Sequence, residues 1–242
     1  MENTLDILSL LIMTFILFLG GAIQGSLGYG LGLFCVPFLV LVDPRLAPAP
    51  LIAATLAFNI AVTMREKIAL DFFGLKWITL GSVPGTYLGA LLLAYISLNT
   101  ASLLIGIIVI IGVLLSVIGL RLPIKKGLLF LVGVLSGGMA TISSIGGPPV
   151  ALVYQDEPGG KLRATLAGYF IVLAILSVIS LVAVGKFGVW EIKHALLMIP
   201  GMMLGYLLSN RIIKFLTQQQ IRAGILLLSA VSGAIVIFKQ LM

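Results

Sequence analysis

The chain has 242 residues, 60% of them hydrophobic and only 10% charged, with a formal net charge of +7 and a mean hydropathy of +1.23. A water-soluble fold of this size cannot bury that much apolar side chain, so composition excludes a soluble domain and indicates a polytopic membrane protein. The positive balance does not indicate nucleic acid, because lysine and arginine sit in short connectors between apolar runs, as the positive-inside rule produces.

The amino terminus, Met1 to Asp6, is acidic where a signal peptide needs a positive region, so the chain is expected to be mature from Met1. The first apolar stretch, Leu5 to Val42, is nearly twice the length of a straight span and carries Gln24-Gly25-Ser26-Leu27-Gly28-Tyr29-Gly30-Leu31-Gly32 at its centre. Folded at its glycines, it is expected to form two shorter helices in a re-entrant hairpin. Spans follow at Ala47 to Met64, Leu75 to Ile96 and Ala101 to Leu120. A second interrupted stretch, Lys126 to Gln155, carries Thr141-Ile142-Ser143-Ser144-Ile145-Gly146-Gly147-Pro148-Pro149, and spans follow it at Ala164 to Val184, Ala195 to Leu208 and Ile221 to Phe238. The single cysteine, Cys35, lies in an apolar run and excludes an internal disulfide and a cysteine-built metal site.

An internal similarity divides the chain at the same place. Pro84-Gly85-Thr86-Tyr87-Leu88-Gly89 reappears as Pro200-Gly201-Met202-Met203-Leu204-Gly205, and Gly21, Gly25 and Pro37 fall where Gly133, Gly137 and Pro149 fall. The expected fold is therefore an all-α integral membrane protein of two homologous four-segment repeats, 1–122 and 123–242, together forming one transmembrane domain. Each repeat holds one Gly/Pro-broken segment and three transmembrane helices. If both broken segments are re-entrant, one side collects Arg65, Lys67, Lys76, Arg121, Lys125, Lys126, Lys161, Arg163, Arg211, Lys214 and Arg222, leaving Arg45, Lys186, Lys193 and Lys239 opposite. That bias favours inverted repeats with both termini outside the cytoplasm; eight full crossings with parallel repeats is the alternative.

Paired helix breaks point to a transporter site, because unpaired backbone groups at membrane depth must face protein or a watery cavity. Proline suits the first turn of the helix after the second break, and the free N–H groups there attract anions. The candidate binding residues are Gln24, Gly25, Ser26, Gly28, Tyr29 and Gly30 at the first break, and Thr141, Ser143, Ser144, Gly146, Gly147 and Pro148 at the second. Asn59 and Tyr169, each on the first span after a break, are added as cavity residues, with an interhelical hydrogen bond as the alternative for both. Arg65 and Arg163 lie at span ends, where arginine meets an anion on its way in or out or marks topology. Glycine pairs such as Gly85/Gly89 have the spacing that seats neighbouring helices closely. Gly28 to Gly32 is not a dinucleotide loop, since no strand precedes it and no acidic ribose ligand follows. His194 sits at a span entrance and no acidic residue lies deep in a span, so neither a proton relay, a metal site nor an enzyme's nucleophile and base is indicated, and no cofactor is expected.

The glycine-rich first segment ending Val36-Pro37-Phe38-Leu39, the Met64-Arg65-Glu66-Lys67 connector followed by Ala69-Leu70-Asp71-Phe72, the Pro84-Gly85 helix, and Gly146-Gly147-Pro148-Pro149 with Tyr154 and Arg163-Ala164-Thr165 resemble the TauE/SafE family of sulfite exporters, or TSUP family. The resemblance spans essentially the whole chain. It implies a carrier of the cytoplasmic membrane that moves sulfite or organosulfonates, usually outward. Gly28-Tyr29-Gly30 departs from the family's commoner Gly-Gly-Gly and places an aromatic ring where it narrows the cavity. The expected function is secondary transport of a small anion, with protons or another ion as candidate coupling partners. A carrier or channel for another organic anion is the alternative, followed by a non-transporting scaffold, against which the short connectors speak.

Overall fold

The computed structural model describes residues 6–65, 70–119, 122–212 and 218–242, and among them it contains helices and no strand. Lys67, Arg121, Lys214 and the side chain of Arg65 lie outside the described residues. Among the described residues ten α-helices follow one another: α1 (Ile7–Leu27), α2 (Leu31–Val42), α3 (Ala49–Arg65), α4 (Phe72–Tyr95), α5 (Leu98–Ile118), α6 (Lys126–Ser143), α7 (Gly147–Tyr154), α8 (Gly159–Ala183), α9 (Val189–Ile212) and α10 (Gln218–Leu241). Seven are long and apolar enough to cross a membrane: α1, α4, α5, α6, α8, α9 and α10. The six simple spans read from hydropathy correspond to α3, α4, α5, α8, α9 and α10.

Both interrupted stretches break where their glycines and prolines stand, but the arms are unequal. The expected two shorter helices are present, α1 with 21 residues, about 31 Å, and α2 with 12. Gly20, Gly21 and Gly25 do not turn the chain. A Cβ on Gly21 would lie 2.1 Å from the Met202 carbonyl oxygen, so this glycine lets α1 touch the backbone of α9. The turn falls instead at Gly28 and Gly30, whose φ of 87° and 111° are open to glycine. In the second segment α7 has only 8 residues, about 12 Å, far short of a bilayer core.

Close approach at glycine also fixes helix direction. Gly201 meets Thr14, Gly205 meets Phe18 and Gly25 meets Ser209, so α1 and α9 run parallel. Gly81 meets Phe130, Gly85 meets Val134 and Gly89 meets Gly138, so α4 and α6 run parallel too. Gly106 against Ile237 and Gly233 against Val109 set α5 antiparallel to α10.

Two side-chain contacts then locate the hairpin ends. Arg45, just after α2, lies 5.1 Å from the Trp190 ring at the start of α9, so α2 ends on the side where α1 begins. The Tyr154 hydroxyl at the end of α7 donates to Asp71, the N-cap of α4, at 2.8 Å, so α7 ends on the side where α6 begins. Each broken segment therefore starts and finishes on one side of the bundle, and the two do so from opposite sides. Lys76, Lys126, Lys161, Arg163 and Arg222 stand on helix ends of one side, here the basic side, with Arg45, Lys186, Lys193 and Lys239 opposite.

Candidate functional site

The two breaks meet inside the bundle. A Cβ on Gly32, in the first turn of α2, would lie 2.3 Å from the carbonyl oxygen of Ser144, so backbone touches backbone between the apices. Gly112 of α5 closes the back of this contact against Leu33, Pro148 and Ile145. Beside it lies a pocket of about 60 Å³, bounded by Gln24, Gly30, Gly32, Asn59, Ser144, Gly146, Gly147 and Pro148, with Thr55 of α3 and Phe170 and Ser177 of α8. One water needs about 10–15 Å³ by this measure, so the pocket holds roughly four or five waters, the bulk of a small oxyanion.

The pocket's polarity comes from backbone and amides. The N-termini of α2 and α7 open on it through Gly30 and Gly32 and through Gly146 and Gly147. The first N–H groups of a helix have no intrahelical acceptor, and the helix dipole makes that end positive. Pro148 and Pro149 fit the first turn of α7 because that turn has no intrahelical use for their missing N–H. Gln24 donates its side-chain amide to Asn59 Oδ1 at 2.9 Å, and Asn59 in turn donates to the Thr55 carbonyl at 2.8 Å. Among the described residues no carboxylate, ammonium, guanidinium or imidazole bounds the pocket.

Seven of the residues expected from the sequence, Gln24, Gly30, Asn59, Ser144, Gly146, Gly147 and Pro148, stand together around this pocket. Others stand behind it. Ser26 donates to the Ala22 carbonyl, Ser143 to Met139 and Thr141 to Gly137, at 2.7, 2.7 and 3.0 Å, because a hydroxyl on an apolar helix finds its nearest acceptor one turn back. Thr141 also meets Ser177 at 2.9 Å and so touches the pocket through that residue. Gly25 is pressed on α9 and Gly28 on Arg163. Tyr29 lies on the far side of Gly147, facing the basic side.

Tyr169 supports the second break from outside. Its hydroxyl donates to Ser136 at 2.8 Å and lies 2.9 Å from that of Ser82, while Ser136 donates to the Gly146 carbonyl. Ser144, at φ 61°, donates to the Pro48 carbonyl at 2.9 Å and ties the same break to the start of α3. His194, in the first turns of α9, is buried and stacked on Trp190 with ring centroids 3.8 Å apart.

Thr55, Phe170 and Ser177 were not among the candidate binding residues. Thr55 is four residues before Asn59 and shares its helix face, which is the signal that finds it. Phe170 and Ser177 are seven apart on one face of α8, which passes the pocket about 100° around the helix from Tyr169.

A multi-pass helical membrane protein whose paired helix breaks converge on a small pocket has the architecture of a membrane transporter. The chain matches the family model of the sulfite exporter TauE/SafE over residues 13–236, and it belongs to that family. No curated protein and no solved structure matches it.

Proposed function

We propose that the protein is a secondary carrier of sulfite or a similarly small organosulfonate, working outward across the cytoplasmic membrane. The observation that carries this reading is the meeting of two helix N-termini at one oxyanion-sized pocket free of charged side chains. Backbone N–H groups bind an oxyanion without the grip of an arginine or lysine, which suits a solute that must also leave. Gln24 and Asn59 each keep a second amide N–H beyond the hydrogen bond they already donate, and supply further donors at the pocket wall. The pocket's size favours sulfite, a sulfur with three oxygens, over larger sulfonates. The family match supports anion export as the class of activity.

The basic side is the cytoplasmic one under the positive-inside rule, with both broken segments re-entrant from opposite faces. The reciprocal pairing of α1 with α9 and α6 with α4 through the recurring glycines supports two inverted halves, 1–122 and 123–242, that rock against each other. Purified protein in liposomes with radiolabelled sulfite, with and without an imposed pH gradient, tests the reading. Saturable uptake with counterflow, accelerated by the gradient, is the expected result. Non-saturating flux identifies a channel, and absence of sulfite flux overturns the substrate.

A further inference from the structure

On the basic side three spaces lie in series. The widest, about 480 Å³, is bounded by Tyr29, Ser116, Gln155 and Arg222 among others. A gap of about 10 Å³ follows, walled by Tyr29, Gly30, Leu33 and Arg222. Gly30 and Leu33 also face the central pocket. The outer pair of wall residues is thus shared with the wide cavity and the inner pair with the pocket, which orders the spaces along one line. A gap of that size is at the lower bound for a single water, so no anion passes until a wall residue moves.

Arg222 supplies the charge on that line. Its guanidinium, which bounds the cavity, donates to the Ser116 carbonyl on α5 through one of its five N–H groups, and among the described residues no ion pair neutralises it. Glu157, also at the cavity, is paired with Lys161 at 3.0 Å. Tyr29 stands directly after the positive-φ Gly28 and before the positive-φ Gly30, so its ring is carried between two residues whose backbone has more conformations open to it than that of any other residue type.

We infer that Arg222 and Tyr29 form the access gate and an outer anion subsite on the basic side: the oxyanion docks on the Arg222 guanidinium, and displacement of the Tyr29 ring admits it to the helix N-termini. Arg222 takes the role that sequence position suggests for Arg65 and Arg163. The inference rests on the anion-carrier reading, but its test does not need transport.

In a Cys35→Ala chain, Tyr29→Cys is labelled from the basic face with an anionic methanethiosulfonate and with its cationic counterpart. The anionic reagent is expected to react faster, and adding Arg222→Ala should lower the anionic-to-cationic rate ratio about tenfold, with Arg222→Lys retaining it. An unchanged ratio overturns the subsite, and no labelling at position 29 from the basic face overturns the gate. In transport, Arg222→Ala should raise half-saturation for sulfite about tenfold from that face and leave the maximal rate within about threefold. A lowered maximal rate at unchanged half-saturation contradicts the assignment. Charge-dependent labelling in a protein that moves no sulfite would sink the substrate reading and leave the gate standing.

Discussion

The two helix breaks reach one pocket by different means. The first turns at two glycines, carries Tyr29 between them, and reaches its neighbours through the Gln24 to Asn59 contact and through apolar and backbone touch. The second turns at a serine in the left-handed region, which costs a non-glycine residue about 1–2 kcal/mol, and is held there by Ser144 on Pro48 and by the Tyr169–Ser136–Gly146 chain. A turn that costs little and is lightly tied can rearrange; a strained turn with several hydrogen bonds persists only while its surroundings hold it. The second break is therefore expected to act as the framework and the first as the moving part.

The strongest way to break this comparison is to push the two apices apart. Gly32→Ala places a methyl against the Ser144 carbonyl, where the contact must open by about 1 Å, so sulfite flux in proteoliposomes should fall about 100-fold. Gly224→Ala, where nothing lies within 4 Å of the added Cβ, should leave flux unchanged. Gln24→Glu tests whether the first break supplies donors to an anion. A carboxylate at the pocket wall should raise half-saturation about 30- to 100-fold, roughly 2–3 kcal/mol, with Gln24→Leu costing less.

Tyr169→Phe removes the hydroxyl that holds Ser136 without changing the ring, and should destabilise the detergent-solubilised protein by about 1–2 kcal/mol in thermal unfolding. A variant as stable as wild type would show that the second break is not held from α8. The smallest effect concerns the outer end of the first segment. Burial alone would raise the Asp43 carboxyl pKa, but the hydrogen bonds and attraction from Arg45 outweigh it and leave that pKa below its ordinary value. A depressed pKa stabilises above the unfolded value of about 3.9 and loses that contribution as pH falls through the folded value. Melting temperature should therefore drop slightly more below about pH 4 in wild type than in Asp43→Asn, a difference worth less than about 1 kcal/mol of stability for a partly exposed pair.

Much of the fold was legible before any coordinates, because a bilayer allows few solutions for backbone. Apolar runs of spanning length had to be helices, and glycine and proline inside such runs had to mark breaks or close contacts. Which of the two was not legible: Gly21, Gly25, Gly28 and Gly30 look alike in sequence, yet Gly21 and Gly25 serve contact with α9 while Gly28 and Gly30 serve the turn. Asn59 and Tyr169 look equivalent in sequence, as polar residues on the first span after each break. Asn59 bounds the pocket while Tyr169 is sealed behind it, a difference set by helix rotation.

Composition, run length and the Gly/Pro pattern by themselves determined a helical membrane protein and the positions of both breaks. Those properties follow from solvation of the chain by lipid, which acts on each segment separately. Only the tertiary structure decided which polar groups meet the pocket. Each hydroxyl on an apolar helix can satisfy the carbonyl one turn back, a neighbouring helix or a cavity, and that choice is set by the helices packed against it: Ser26 and Ser143 turned inward to their own backbone, whereas Ser144 and Ser177 stand at the pocket.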